Sequence, residues 1–348
     1  MPDISFAIPT WNRAKKLNIT IENIAGQIIQ AGIDAEICVS NNCSDDGTED
    51  VLKFLKEKYG FIRTTGLPEH DENVWGNFVN AINITSGKYV WLFGDDDELL
   101  PGGLSSVFSL SKEGKYSVIS AGNGWFRPHT NKIAAGSLFN LVNSMGWNQI
   151  IGWMTGVILK RDTAEKLALI LNSDPHKQSA YSHVSSLLQI AASHHSAYID
   201  SPIVQPQGQQ TKEDGERWAK ANIAWKYFLL IDSFEHLINI KAIPEKVNPK
   251  FFRYLNYYIW DRFLSNMISG HLTGKPFPDH GWEVIEKIGK MIDDEGMAKN
   301  LILSARLARS MCVERANAAE RFNNITNSLV GTIKKSSEML FPIANLAK

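Results

Sequence analysis

Residues 94–97 read Gly-Asp-Asp-Asp, and a glutamate follows. Carboxylates this close repel one another unless a cation or hydrogen bonds compensate. Hard divalent cations such as Mg2+ and Mn2+ take oxygen ligands. One or two carboxylates commonly suffice, with phosphate oxygens and water completing the shell. The segment therefore reads as a divalent-cation site for a phosphorylated ligand. On an extended chain alternate residues point the same way, which puts Asp95 and Asp97 on one side and Asp96 on the other. A solvated acidic loop is the plain alternative, because a DxD pattern alone is common.

Context sharpens the choice. The aspartates follow an apolar run, YVWLF at 89–93. Two more polar clusters also follow apolar runs: PTWNR at 9–13 and NNCSDDG at 41–47. The runs at 4–8, 35–40, 61–65 and 89–93 predict strands, the first of them ended by Pro9. Segments 17–29, 49–59 and 75–84 carry helical spacing between them. Strands alternating with helices imply crossover connections and a mostly parallel sheet. Ligands of such sheets bind beyond the carboxyl ends of the strands, so all three clusters would share one edge.

Further along, YSVIS and GVILKR read as two more strands. After Arg161 the chain reads as mainly helical, over 162–172, 181–193, 216–240, 250–270, 282–293 and 295–330. The Pro/Gln/Gly stretch SPIVQPQGQQ at 201–210 reads as a connector. We expect a first domain over 1–205 and a helical C-terminal region over 206–348. Aromatic residues crowd 218–263 and read as core.

Composition narrows the partners. The 348 residues are 44% hydrophobic and 21% charged, with a formal net charge of -1. That balance gives no global attraction for nucleic acid. Three cysteines without zinc spacing read as reduced thiols. MPDISFAIPTWNR has no basic region followed by an apolar stretch, so we expect no signal peptide and a cytoplasmic protein. The tail TIKKSSEMLFPIANLAK mixes lysines with apolar residues. It could touch the inner face of a membrane or a second copy of the chain.

Together these motifs resemble the family 2 glycosyltransferases. The residues that carry the likeness are IPTWNR (8–13), CVSNNCSDDGT (38–48), the spaced Asn73, Gly76, Asn80 and Gly87, and WLFGDDD (91–97). A strand of YVWLFGDDD type resembles the abequosyltransferase-like branch. The likeness covers roughly 3–110 well and 115–195 loosely, and does not reach the C-terminal helices. It implies the nucleotide-diphosphosugar transferase (GT-A) fold, an α/β fold with a mostly parallel central sheet.

The resemblance also implies roles. Pro9, Thr10 and Trp11 would border the nucleotide base, with Asn12 and Arg13 in the same segment. Asn41 stands where an acidic residue commonly pairs with the base, and Asp46 lies beside it. Asn73 and Asn80 would line the floor of the nucleotide site. Asp96 would contact the ribose or sugar. Asp97 would hold Mn2+ or Mg2+, and Asp95 would orient its neighbours or share the metal. Trp153 and Thr155, in GWMTGVILKRD, would border the acceptor. An amide at position 41 suits cytosine, which offers an N3 acceptor and an amino donor. That favours a CDP-sugar over a UDP- or dTDP-sugar. The acidic base usual in the family is missing, since AYSHVSSLL at 180–188 carries no carboxylate. His183 stands in about its place, and an unperturbed histidine pKa of about 6.5 suits proton abstraction. Asp174 and Asp162 are alternatives, and a structural histidine is the plain reading.

The expected activity is inverting transfer from a nucleotide-diphosphate sugar to a hydroxyl of a glycan or lipid-linked oligosaccharide, in cell-surface polysaccharide synthesis. One alternative is a nucleotidyl or phospho-group transferase on the same fold, although IPTWNRAKK lacks the glycines of a triphosphate loop. The other is a non-catalytic carbohydrate-binding relative, although the intact aspartates weigh against decay.

Overall fold

The computed structural model describes residues 1–71, 74–123, 129–173, 181–207, 223–252, 280–299, 301–303 and 306. Two compact units divide the chain, one from residues 1–142 and 149–221, the other from 143–148 and 222–348. In the first unit, strands are β1 (Ile4–Thr10), β2 (Ala35–Asn41), β3 (Ile62–Gly66), β4 (Tyr89–Leu92), β5 (Asp97–Leu99), β6 (Val118–Asn123), β7 (Lys132–Ser137), β8 (Val157–Lys160) and β9 (His195–Pro206). They form one sheet in the order β3-β2-β1-β4-β8-β6-β9-β5, with β7 added on β9.

The first four strands are mutually parallel. Every residue of β1, β2 and β4 is buried, which is why these strands read as continuous apolar runs. Antiparallel pairs enter with β8, β5 and β7. The helices of this unit that matter below are α1 (Ala14–Ala31), α2 (Thr48–Lys58) and α3 (Val74–Asn83), followed by α4 (Gly103–Ser111), α5 (Leu138–Met145), α6 (Arg161–Ser173) and α7 (Ser182–Ala191). Helix α1 buries Leu17, Ile21, Ile24, Ala25 and Ile28 and stops at Gly32, whose φ of 59° is left-handed. Between the layers Phe6 stacks on Trp91 at 5.0 Å, and Phe93 meets both rings edge-on.

The chain steps outward from β1 to β3, then returns to the other side of β1 with β4. That reversal places a crevice between β1 and β4. Pairing of β1 with β4 ends at Ala7–Leu92, while β1 and β2 stay paired to Thr10–Asn41. Pro9 therefore does not end the strand, as its type had suggested. The Ala7 carbonyl accepts from Phe93 N, so alternate residues from Ala7 face β4. Pro9 faces that way too, beyond the last pair, where no strand needs its missing N–H.

Strands β5, β7 and β9 had no counterpart in the sequence reading. Residues 201–206 belong to β9 rather than to a connector. Gly122 in β6 sits where the register against β9 shifts, between Ala121 and Asn123. A Cβ there would run into the Ser201 carbonyl oxygen and stand 2.8 Å from that of Ile199. Both obstacles are backbone, so Gly122→Ala is expected to cost about 3 kcal/mol of stability. A urea midpoint equal to the wild type would show that the strands can part without strain.

The second unit contains α8 (Ile223–Asn239) and α9 (His280–Met291). Phe251 and Phe252, from the aromatic segment, are buried there and pack edge-on against Phe234 at 5.1 and 6.1 Å. Of the cysteines, Cys38 and Cys43 are free thiols. The C-terminal tail and Cys312 lie outside the described residues. Among the described residues, no helix is long and apolar enough to cross a membrane.

Candidate functional site

Because β1, β2 and β4 run parallel, PTWNR, NNCSDDG and GDDD converge on one edge of the sheet. Helix α1 holds the acidic segment in place. Arg13 Nη1 lies 2.7 Å from Asp95 Oδ1 and 2.9 Å from Asp96 Oδ2. Lys16 Nζ is 3.7 Å from the same Asp96 oxygen. Thr20 Oγ1 donates toward the carbonyls of Asp95 (3.1 Å) and Asp97 (3.0 Å). Asn23 Oδ1 accepts from Leu99 N, and Gln27 Nε2 donates to Leu99 O. These five positions lie three or four apart and so form one helix face. From the far side, Gln207 N donates to Asp96 O, and its Nε2 donates to Thr20 Oγ1 at 2.8 Å.

The three aspartates have different surroundings: Asp95 and Asp97 are buried, as alternation along the chain leads one to expect, and Asp96 is more exposed. Asp95 and Asp96 share Arg13, while Asp97 bonds Thr155. The chain turns at Asp95 and Asp96, between β4 and β5. Asp95 is 5% exposed, and its two oxygens are taken up by Thr10 Oγ1 and Arg13. Burial raises its pKa, against the pull of Arg13. Asp96 is more exposed and lies between Arg13 and Lys16.

Asp97 is also 5% exposed. Its Oδ2 accepts the Thr155 hydroxyl in a short bond. Among the described residues, none donates a hydrogen bond to its Oδ1. Burial, then the neighbouring Asp96, drives its pKa up to about 8 despite Thr155. Glu36, at the opposite end of β2, is 5% exposed as well. Burial acts against its charge too, but hydrogen bonds from Ser5 and from the Ser86 amide and hydroxyl outweigh it, and its pKa falls. Glu36 is compensated by these donors and by Arg63 at 3.5 Å. Asp97 lies deeper and has only the Thr155 hydroxyl and, at a distance, Arg13 against it. This separates a structural carboxylate from one short of compensation.

That difference tests the fit of a divalent cation. Asp97 offers a hard oxygen without a protein partner in a region of excess negative charge, and a cation supplies what is missing. Among the described residues, no group of three or more Asp, Glu, His or Cys is arranged to hold a metal alone. The donor set thus fits a cation that draws its remaining ligands from phosphate and water.

On the neighbouring strands the predicted nucleotide residues are mostly engaged with one another. Asn41 Nδ2 donates to Glu49, and its Oδ1 accepts from Ser44 N. Asn42 exchanges two hydrogen bonds with the backbone of Asp71, at 2.8 and 2.9 Å. Each amide is oriented by these bonds and keeps one N–H and one oxygen lone pair beyond them. Asn12, at a φ of 52°, ties the first loop to the second through Ser44 Oγ and Asp45 N. Asp46 accepts from the amides of Ala14 and Thr48, capping α1 and α2 together. Burial works against its charge, yet the Thr48 hydroxyl and these amides hold its pKa low. Trp11 is 40% exposed and stacks on His70 with centroids 4.2 Å apart.

Asn80 Nδ2 bonds Ser40 Oγ, fastening α3 to β2. Asn73 lies outside the described residues. Asn77, one turn before Asn80, was not singled out from the sequence. It donates to the Thr10 carbonyl, and its buried Oδ1 has no partner among the described residues. A polar residue on the otherwise apolar face of α3 was the available signal.

His183 does not fit a proton acceptor. It is 2% exposed, packs against Trp75 and donates from Nε2 to Ile151 O. Burial pushes its pKa down to about 4, against the pull of backbone carbonyls. Asp162 caps Thr163 N at the start of α6, beyond Lys160, which pairs with Tyr89 at the amino end of β4. It therefore stands at the opposite sheet edge from the aspartates. Asp174 lies outside the described residues. Trp153 is partly buried against the core. Thr155, expected at the acceptor, is buried and turned toward Asp97.

The fold and its acidic strand end define a GT-A nucleotide-diphosphosugar transferase fold. Its likeness to the S. aureus TarS 1-349 structure in complex with UDP-GlcNAc has a TM-score of 0.60 at 12% identity, over 88% of this chain and 87% of that one. Residues 5–167 match the family model described as Glycosyl transferase family 2. It is 34% identical over 102 residues to the abequosyltransferase RfbV of Salmonella typhimurium, covering 29% of this chain and 30% of the relative. It is likewise 34% identical over 114 residues to the GalNAc(5)-diNAcBac-PP-undecaprenol beta-1,3-glucosyltransferase of Campylobacter jejuni, covering 33% of this chain and 36% of the relative. The chain thus spans about a third of the length of these curated relatives.

Proposed function

We propose that the first unit transfers a sugar from a nucleotide-diphosphate sugar to a hydroxyl of a glycan or lipid-linked acceptor. The observation that carries this reading is the buried Asp97 carboxylate just past β4, held at one oxygen by Thr155 and, among the described residues, given no hydrogen bond at the other. Asp97 would hold Mn2+ or Mg2+, with the diphosphate completing the shell. A cation there supplies charge to the leaving diphosphate. Arg13 and Lys16 add positive charge at the same edge and draw the phosphates toward Asp96. Asp95 orients this group through Thr10 and Arg13. Trp11 and His70 offer exposed rings on which a base can stack, so the base is gripped by its face.

A panel of UDP, CDP, GDP and dTDP, each with Mn2+, tests the reading by thermal shift. One nucleotide should raise the melting temperature by a few degrees at a hundredfold excess over its Kd, equivalent to about 2.7 kcal/mol. The CDP preference stands only if CDP gives the largest rise. No rise with any of the four would overturn the donor site.

A further inference from the structure

Thr155 is the point where one residue meets the exit of β4 three times. Its carbonyl accepts the Trp91 indole N–H at 2.8 Å. Its hydroxyl accepts from Gly94 N at 2.9 Å and gives its own proton to Asp97 Oδ2. The indole fixes where Thr155 sits relative to the core, since Trp91 is fully buried. The Gly94 amide fixes which way the hydroxyl lone pair points. Of the two positions left for the hydroxyl proton, the one it takes points at Asp97. A hydroxyl has a single proton to give, so the polarity of the chain from Gly94 to Thr155 to Asp97 is fixed.

Space around the contact is equally restricted. A Cβ on Gly94 would collide with Asp97 Oδ2 and stand 3.1 Å from Thr155 Oγ1. The carboxylate is thus held against the backbone of the turn at one oxygen. Its other oxygen, Oδ1, receives no hydrogen bond from a described residue.

We propose that Thr155 is a positioning residue that locks the Asp97 carboxylate and leaves Oδ1 as the oxygen presented to a divalent cation. This rests on the metal reading of Asp97 given above. It moves Thr155 from lining the acceptor to aiming the metal ligand. A carboxylate held at one oxygen loses little rotamer freedom when a cation binds the other. The short helical turn that bears Thr155, Met154–Gly156, follows Trp153 directly, so the acceptor-side segment and the metal ligand share one support.

Binding of Mn2+ in the presence of the nucleoside diphosphate from the panel, followed by electron paramagnetic resonance, tests this without turnover. Thr155→Val keeps the shape and removes the hydroxyl. It should weaken Mn2+ binding about tenfold or more. Thr155→Ser restores the hydroxyl and should bind within about threefold of the wild type, which a role in packing the methyl group would not produce. Asp97→Ala serves as the reference for loss of the ligand itself. Near-normal Mn2+ binding by Thr155→Val beside lost binding by Asp97→Ala would overturn the positioning role and leave the metal reading intact. Equal weakening by the Ser and Val variants would overturn it as well. Normal Mn2+ binding by Asp97→Ala would remove both. Near-ultraviolet circular dichroism reports whether each variant is folded, and the serine variant carries the test if the valine variant is not.

Discussion

Asp97→Ala is expected to lower kcat/KM for sugar transfer by roughly a thousandfold, about 4 kcal/mol of transition-state stabilisation. The effect is large because no neighbour can replace it. Asp95 has both oxygens committed to Thr10 and Arg13, and Asp96 is held by Arg13 and Lys16. The same change should not harm the unliganded fold. Asp97 is a buried carboxylate beside two others, and its charge is compensated only by Thr155 and, at a distance, Arg13. Asp97→Asn keeps an oxygen for the Thr155 hydroxyl and removes the charge. Its melting temperature without nucleotide should equal or exceed that of the wild type by a few degrees. Opposite responses of activity and stability are the mark of a group kept for function. An asparagine variant that melts well below the wild type would mean that the carboxylate is structural.

Acid should expose a second buried group. His183 has its pKa lowered from 6.5 to about 4 by burial. Above 6.5 it is neutral in both folded and unfolded chains, and its contribution is fully present. As the pH falls below 6.5 the unfolded chain gains a proton that the folded chain refuses until about pH 4. Stability is therefore lost across that window, by about 3 kcal/mol. Urea unfolding at several pH values should show this slope in the wild type and a shallower one in His183→Asn, which retains a donor for the Ile151 carbonyl. Coincident slopes would mean that the ring is charged in the fold. The ring that seemed suited to take a proton is thus placed where a proton is least welcome.

The strands that carry the site were legible because they are buried on both faces. YVWLF is wholly apolar, ISFAI and AEICVS carry one interior polar residue each (Ser5 and Glu36, paired with one another), and their polar ends follow at once. Side-chain partners at those ends were not legible. The chain turns at Asp95 and Asp96, so both reach Arg13 while Asp97 turns to a residue 58 positions away. Asn41 finds Glu49 eight positions on, a partner that no spacing rule indicates. Strand β9 was hidden because Pro202 and Pro206 make its sequence look like a connector. Helix α1 is the instructive case. Its apolar residues were followed at helical spacing, but its polar ones were not. Arg13, Lys16, Thr20, Asn23 and Gln27 obey the same spacing and trace the whole acidic segment.

That polar stripe makes the length of α1 as constrained as its composition. Deleting or inserting one residue would turn everything beyond it by about 100° around the helix axis. An insertion after Lys16 would leave Arg13 on its carboxylates but swing Thr20, Asn23 and Gln27 off the backbone they hold. Exchange of one residue for another is far safer on the outer side, where Ile19 and Ile29 are 54% and 62% exposed. Variation among related chains should accordingly enter this helix as substitutions on its outer side. Gains and losses of residues should collect beyond Gly32, where the stripe has ended and a shift in phase no longer reaches the aspartates.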